Sequence, residues 1–239
     1  MLGTIVNSLA IIAGSFAGLF LKSKLKERYI DIITTGIGLA TLFIGMSSCL
    51  KNLLDKDANP VLFIISLVIG GLIGEFSDLA SKFKRFGEFI QSKFSKEEKG
   101  IAQSFIASSL LFCVGTMAIL GSIESGIKQD HTILFAKSIL DGVSSIIFSA
   151  SLGPGVIFSA FMVFIYQGIL TIFSSFISPF ITIDMLREIS IVGGILVFAI
   201  GLNFLKITKI KVENFLPAVF IPVIYYLPFI QKILNIFHR

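Results

Sequence analysis

The chain begins with Leu2-Gly-Thr-Ile-Val-Asn-Ser-Leu-Ala-Ile-Ile-Ala-Gly-Ser-Phe-Ala-Gly-Leu-Phe-Leu21, a run of 20 residues without a charged side chain. As a helix, a run of this length matches the thickness of a bilayer core. The first basic cluster, from Lys22 to Arg28, follows the run, whereas a secretory signal peptide has its basic region first. We therefore expect an uncleaved spanning helix whose N-terminus lies outside, because positive charge after a span holds that end in the cytoplasm.

The whole chain has this apolar character. Of its 239 residues, 54% are apolar and 15% are charged, and the mean hydropathy is +0.92. Soluble domains have about 25% charged residues, so the composition excludes a disordered chain, a secreted disulfide scaffold and an ordinary cytosolic enzyme. The apolar runs lack the period-two alternation of β-barrel strands. The sequence predicts one integral membrane domain over residues 1–239, folded as an all-α polytopic transmembrane bundle.

Eight apolar runs are candidate spans, and each is predicted to be helical because backbone groups in hydrocarbon must bond internally. They cover residues 3–21, 32–50, 61–79, 102–122, 134–151, 155–178, 189–205 and 213–231. With the N-terminus outside, the predicted inner connections hold 13 of the 20 Lys and Arg residues, as the positive-inside rule requires. These connections are residues 22–31, 80–101, 152–154 and 206–212.

The second inner connection has its own pattern around residues 80–99, where apolar and basic side chains recur at helical spacing. The apolar set is Phe83, Phe86, Phe89, Ile90 and Phe94, and the basic set is Lys82, Lys84, Arg85, Lys93 and Lys96. This pattern predicts an amphipathic helix that lies on the cytoplasmic headgroups. The alternative is a solvated linker with scattered Phe residues.

The segment Ser151-Leu-Gly-Pro-Gly155 separates the fifth and sixth candidate helices and is too rich in glycine and proline to remain helical. It is either a tight cytoplasmic turn or the break in a helix pair that does not fully cross the membrane. The first interpretation gives eight spans. The second gives seven spans and a re-entrant element.

Two candidate helices share a glycine spacing. Gly38 and Gly45 are seven residues apart in the second helix, as are Gly194 and Gly201 in the seventh. Helices 1–3 would then correspond to helices 6–8 with inverted topology, an arrangement found in many transporters. Small residues at this spacing are also common at any packed membrane interface, so close packing without a repeat is the alternative.

Ionisable residues inside spans are costly in lipid and mark candidate functional sites. Lys137 and Asp141 share one face of the fifth helix because they are four residues apart. The functional interpretation is a solute- or ion-binding pair beside a cavity. The alternative is a structural pair near the outer interface, with Lys137 extending outward to water.

Four further positions complete the candidate site. Gly115 and Thr116 in the fourth helix would present exposed backbone and a hydroxyl to a solute, or would only permit close helix packing. Asn7 in the first helix and Gln167 in the sixth are amides in apolar surroundings. Because an amide both donates and accepts hydrogen bonds, each suits a polar ligand or a bond between helices.

The sequence lacks the motifs typical of enzymes, of metal centres and of phosphate loops. Cys49 and Cys113 lie in apolar runs without CxxC spacing, and His131 and His238 are far apart. We therefore expect no enzyme activity, no cofactor and no metal. Because the basic residues lie between apolar segments, we also expect no nucleic-acid partner.

Three stretches resemble the YqgA/YdfK family of bacterial multi-pass membrane proteins, namely Gly3–Gly14, Phe112–Ser122 and Lys137–Gly142. The resemblance extends over nearly the whole chain. It implies a bacterial cytoplasmic (inner) membrane location and a transport role, without an established substrate. The matching stretches contain Asn7, Gly115, Lys137 and Asp141.

Two functions from different classes fit these features. The first is a transporter or permease for a small solute or ion, with a site made by helices 1, 4, 5 and 6. The alternative is a non-transporting membrane scaffold or sensor whose intramembrane polar residues are structural. The expected partners are the lipid bilayer and the solute, and the glycine-rich helix faces also fit a homo-oligomer.

Overall fold

The computed structural model describes residues 1–94, 101–113, 115–228 and 230, and these residues form helices and no strands. The all-α polytopic fold is therefore confirmed. The α-helices are α1 (Leu2–Lys22), α2 (Glu27–Leu53), α3 (Pro60–Phe76), α4 (Leu79–Phe94), α5 (Ile101–Cys113), α6 (Thr116–Ile127), α7 (Thr132–Leu152), α8 (Gly155–Ile172), α9 (Ser174–Ile177), α10 (Ile183–Phe204) and α11 (Ile221–Tyr225). Ser178–Phe180 and Val212–Phe220 are 3₁₀-helices.

Among the described residues, five helices are long and apolar enough to cross a membrane on their own: α1, α2, α7, α8 and α10. Two bent pairs, α3 with the start of α4 and α5 with α6, raise the number to seven. The bend between α3 and α4 is 56°, and that between α5 and α6 is 60°. By length and composition, the described residues therefore provide five to seven candidate spans, compared with the eight predicted from the sequence.

The C-terminal segment Val212–Tyr225 has few residues for a span, but most of it is a 3₁₀-helix, which has a larger rise per residue than an α-helix. A 3₁₀-helix rises about 2 Å per residue, so the segment covers about 25 Å of the roughly 30 Å hydrocarbon core. Its Asn214 contacts Gly74 at one end of α3, and Tyr226 packs beside Met185 at the opposite end of the bundle. The segment therefore traverses the bundle where the eighth helix was predicted. Pro217 lies within it and favours the tighter winding, since proline removes an α-helical hydrogen bond.

The amphipathic segment is helical from Leu79 to Phe94. Phe83 is half-buried and packs on Phe105 of α5, with ring centroids 6.3 Å apart, while Lys82, Lys84 and Arg85 are exposed. Residues 95–99 of the predicted helix, and the side chains of Phe86, Ile90, Lys93 and Phe94, lie outside the described part of the chain. Its position on the headgroups stays a prediction.

The turn at Ser151–Gly155 joins α7 and α8, each long and apolar enough to cross a membrane on its own, so the helix pair is not broken there. The cytoplasmic position of the turn stays a prediction. Gly153 has a φ of 92°, a left-handed conformation that glycine adopts without strain. The broken helix lies elsewhere, in the predicted span 102–122, which we expected to be continuous. Gly115 is extended there, and glycine costs about 1 kcal/mol in a helix interior.

The bundle is organised around two close helix pairs, α1 with α7 and α2 with α10. In the first pair, a methyl group added at Gly14 or Gly18 would collide with the backbone carbonyl of Gly142 or Ile146. Gly3 faces Leu134, so α1 and α7 run parallel. Because α8 turns back from α7, it runs antiparallel to α1.

The second pair brings together the glycines of the predicted repeat. A Cβ built at Gly45 would lie 2.6 Å from the carbonyl oxygen of Gly194, and one built at Gly201 would lie 2.6 Å from the backbone nitrogen of Leu42. The corresponding helices of the two halves also touch one another: α1 with α8, α2 with α10, and α3 with Val212–Phe220. The inverted repeat itself stays a prediction.

The orientation can be tested by cysteine labelling. In a variant without the native cysteines, Lys128→Cys in the α6–α7 connection should react with a membrane-impermeant maleimide in intact cells. Lys209→Cys, which follows α10, should react only after permeabilisation. Both positions are exposed, and the prediction follows from the excess of basic residues on the inner side. The reverse labelling pattern would contradict this topology.

Candidate functional site

Lys137 and Asp141 form an ion pair inside the bundle. Lys137 Nζ donates to Asp141 Oδ2 at 2.6 Å, and each side chain is only 8% exposed. Asp141 lies nine residues after the start of α7, which corresponds to about 14 Å along the helix axis, close to the middle of the span. Lys137 therefore does not extend outward to water, as the structural interpretation required.

Asn7 joins the pair from α1. Its Nδ2 donates to Asp141 Oδ2 at 3.0 Å, so one carboxylate oxygen accepts from both an ammonium and an amide. The glycine contacts between α1 and α7 allow this approach, because they bring the two backbones close together. Three polar side chains thus form one buried cluster at the centre of the first helix pair.

A cavity of about 810 Å³ lies beside this cluster, between α2, the α5–α6 junction, α7 and α10. Four of the predicted site residues line it: Gly115, Thr116, Lys137 and Asp141. The apolar side chains at its rim, Phe43, Ile44 and Leu140, are exposed on the outside of the bundle. In a membrane these side chains meet lipid, so hydrocarbon closes that side of the cavity.

The break between α5 and α6 directs a helix N-terminus at the cavity. Gly115 is the N-cap of α6, and among the described residues no side chain caps this end. The first N–H groups of a helix lack partners within the helix and give that end a partial positive charge. The start of α6 therefore offers hydrogen-bond donors to an acceptor in the cavity.

The charges that line the cavity are two cationic and one anionic: Lys51, Lys137 and Asp141. Their formal charges sum to +1, and the N-terminus of α6 adds a partial positive charge. Hydroxyl and amide groups supply further hydrogen-bonding capacity along the wall. These groups belong to Ser47, Ser48, Asn52, Thr116, Ser144 and Ser190.

Gln167 does not share this cavity. It lies on the buried face of α8, fully enclosed, and within the described residues neither of its amide atoms has a hydrogen-bond partner. The structure thus brings Asn7, Gly115, Thr116, Lys137 and Asp141 together and leaves Gln167 apart from them.

The predicted site missed the contribution of α2 and α10. Ser48 of α2 donates to the backbone carbonyl of Ser190 at 3.2 Å, and both residues line the cavity. The available signal was the seven-residue spacing that Gly38 and Gly45 share with Gly194 and Gly201, because small residues at this spacing are common at packed membrane interfaces. Ser190 is uncharged, and the sequence around an uncharged residue in a span does not show whether its side chain faces a cavity.

A second polar cluster lies at the beginning of α10, which the predicted span 189–205 did not include. Glu188 is fully buried and accepts from the backbone N–H of Asn59 at 2.7 Å. Arg187 pairs with Asp184 at 2.6 Å and donates to the carbonyl of Asp57. These contacts attach the α2–α3 connection to α10. Among the described residues, no group of three or more His, Cys, Asp and Glu side chains could hold a metal ion.

Comparison with known proteins places the chain in a family. It is 38% identical over 222 residues to the uncharacterized membrane protein YdfK of Bacillus subtilis, covering 93% of this chain and 94% of the relative. It is 32% identical over 223 residues to the uncharacterized protein YqgA of Escherichia coli, covering 91% and 93% respectively. No solved structure matches the chain. A profile described as "Protein of unknown function (DUF554)" matches residues 2–227, and the chain belongs to this family of membrane proteins.

Proposed function

We propose that the chain is a transporter for a small anionic solute in the bacterial cytoplasmic membrane. The supporting observation is that the buried Lys137–Asp141 pair lines a cavity of about 810 Å³. Ionisable groups inside a membrane bundle are costly and typically mark a solute or ion path. A binding role for the pair needs a cavity beside it. A packing role does not.

The broken helix supports the same proposal. Secondary transporters commonly bind their substrates near the bilayer midplane, beside discontinuous helices whose ends face the ligand. Here the α5–α6 break places Gly115 and Thr116 on the wall of the cavity that the ion pair also lines. Irregular backbone at this depth is tolerated where it is enclosed by protein or lines a cavity.

The preference for an anion follows from the charges. An ammonium group has three donors, and Lys137 uses one of them for Asp141. The others remain for a ligand in the cavity, where Lys51 and the N-terminus of α6 add positive potential. Helix N-termini favour carboxylates and phosphates for this reason. We propose that Asp141 and Asn7 hold Lys137 in position, while Lys137 and the start of α6 bind the anion.

The proposal can be tested with acids and their uncharged amides. The melting temperature of the purified full-length protein is measured with acetate and acetamide, lactate and lactamide, and succinate and succinamide. We expect at least one carboxylate to raise the melting temperature and its amide to have no effect. Thr116→Val should weaken the response by about tenfold in apparent affinity, since it removes a hydrogen bond to a charged group worth about 1.5 kcal/mol or more.

The control is Thr41→Val, because Thr41 is a buried hydroxyl residue on α2 that does not line the cavity. It should leave the response unchanged. Equal stabilisation by acids and amides, or the absence of stabilisation by any acid, would contradict an anion site. A response that persists in Asp141→Asn would contradict the assignment of the ion pair to the site. A scaffold or sensor role would then be the better explanation of the buried polar groups.

A further inference from the structure

The contact between α1, α7 and α8 contains buried polar atoms without hydrogen-bond partners among the described residues. Gln167 is 0% exposed, and both its Nε2 and its Oε1 are unpaired. Asn7 Oδ1 and Ser8 Oγ on α1 are unpaired as well. Buried polar groups are almost always hydrogen-bonded, so several unpaired atoms in one interface indicate a ligand, an ion or water.

The helix register places these atoms at one level of the bundle. Thr4 Oγ1 and Thr171 Oγ1 are 3.4 Å apart across α1 and α8, which run antiparallel. Ser8 is one helical turn after Thr4, and Gln167 is one turn before Thr171, so both lie at the next level inward. Asn7 is adjacent to Ser8 and bonds to Asp141, which brings a carboxylate to the same level.

The hydrogen bonds of Asn7 and of other serines show what distinguishes two of these unpaired oxygens. Because Asn7 Nδ2 donates to the Asp141 carboxylate, its Oδ1 is the atom left over. Ser8 differs from Ser138 and Ser159, whose hydroxyls each donate to a carbonyl of their own helix at 2.6 Å. Ser8 Oγ therefore keeps bonding capacity that Ser138 and Ser159 use within their own helices. Ser15 Oγ on α1 and Ser149 Oγ on α7 are unpaired as well.

We propose that this interface is a binding site for a small monovalent cation, with Na⁺ as the ion to test first. The ligands would be Asn7 Oδ1, Ser8 Oγ and Gln167 Oε1, with the Asp141 carboxylate nearby as the compensating charge. Carbonyl, hydroxyl and carboxylate oxygens are ligands for hard cations. A single positive charge suits the interface better than a double one, because Asp141 already pairs with Lys137 and excess charge is costly at this depth.

The cation site is distinct from the solute cavity, which Asn7, Ser8 and Gln167 do not line. Both sites nevertheless share Asp141. A cation beside Asp141 adds positive charge near Lys137 without displacing it, and this charge would strengthen the attraction of an anion in the cavity. This gives a physical route by which cation binding would favour anion binding, while the cation site can be tested without any solute.

The test is the melting temperature of the full-length protein in NaCl, LiCl, KCl and choline chloride at constant ionic strength. For the wild type we expect a saturable increase with Na⁺ relative to choline. Gln167→Leu should abolish this increase, and its melting temperature in choline should equal or exceed that of the wild type, because the unpaired amide is removed. Ser159→Ala, a matched buried position on α8, should retain the increase.

Ser8→Ala serves as a milder variant if Gln167→Leu does not fold, and it should lower the apparent Na⁺ affinity by about tenfold. A wild-type melting temperature that is the same in all four salts would overturn the proposal and would assign the interface to buried water. A full Na⁺ response in Gln167→Leu, or in Ser8→Ala if Gln167→Leu does not fold, would overturn it too. Neither result bears on whether a carboxylate stabilises the protein, so the two proposals fail separately.

Discussion

Replacing Asp141 with leucine is expected to lower the free energy of unfolding by about 3–5 kcal/mol, because Lys137 would remain as an unpaired charge inside the bundle. Lys137→Met should cost less. The carboxylate then keeps Asn7 as a hydrogen-bond partner. The double variant should recover most of the loss, since an apolar pair of similar volume replaces both charges.

The measurement is a double-mutant cycle on the purified protein, with unfolding followed in detergent. Glu124 and Lys128 provide a matched control, because they form a pair with the same four-residue spacing at 3.2 Å on the exposed end of α6. Substitutions there should change the free energy of unfolding by less than about 0.5 kcal/mol. Additive losses in the Lys137→Met/Asp141→Leu double variant would show that the two side chains are not coupled and would contradict the buried pair.

Gly14→Ala is expected to destabilise the contact between α1 and α7 strongly. The new methyl group would collide with the backbone carbonyl of Gly142, which cannot rotate away as a side chain can. The helices must separate, at a cost of at least about 1–3 kcal/mol. Separation also moves Asn7 from Asp141, so solute binding should weaken along with stability.

Gly36→Ala is the control for this substitution. A methyl group at Gly36 in α2 would meet nothing within 4 Å, and alanine favours a helix over glycine by about 1 kcal/mol. The control variant should therefore be as stable as the wild type or slightly more so. If Gly14→Ala and Gly36→Ala have the same melting temperature and yield, the close packing of α1 on α7 is wrong.

The apolar runs were sufficient to predict most of the helices. A long apolar run in a membrane must pair its backbone groups internally and is therefore helical. It also predicted the Lys137–Asp141 pair, since both residues lie on one helix at a spacing that brings them together. A break was considered at Ser151–Gly155, as the alternative to a turn, and was not considered at Gly115, where the structure has it. A Gly-Pro sequence is a stronger local signal for the end of a helix than a lone glycine is. A turn between two complete helices is enough to explain the Gly-Pro sequence here.

Contacts between distant helices were harder to predict. Ser48 and Ser190 line the cavity because α2 and α10 touch, which follows from tertiary packing rather than from a local pattern. Gln167 looked equivalent to Asn7 in the sequence, since both are amides in apolar spans. Only the packing of α8 and α7 against α1 shows that Asn7 bonds to Asp141, whereas Gln167 has no partner among the described residues.

The most direct test of a transport function is solute uptake by proteoliposomes. The probe is the carboxylate that raises the melting temperature most, offered in radiolabelled form to vesicles containing the wild type or the Lys137→Met/Asp141→Leu variant. Wild-type vesicles are expected to accumulate it faster than protein-free vesicles, while the double variant should match the protein-free rate. Equal uptake by both proteins, or binding by the wild type without any uptake, would contradict a transport site at the Lys137–Asp141 pair.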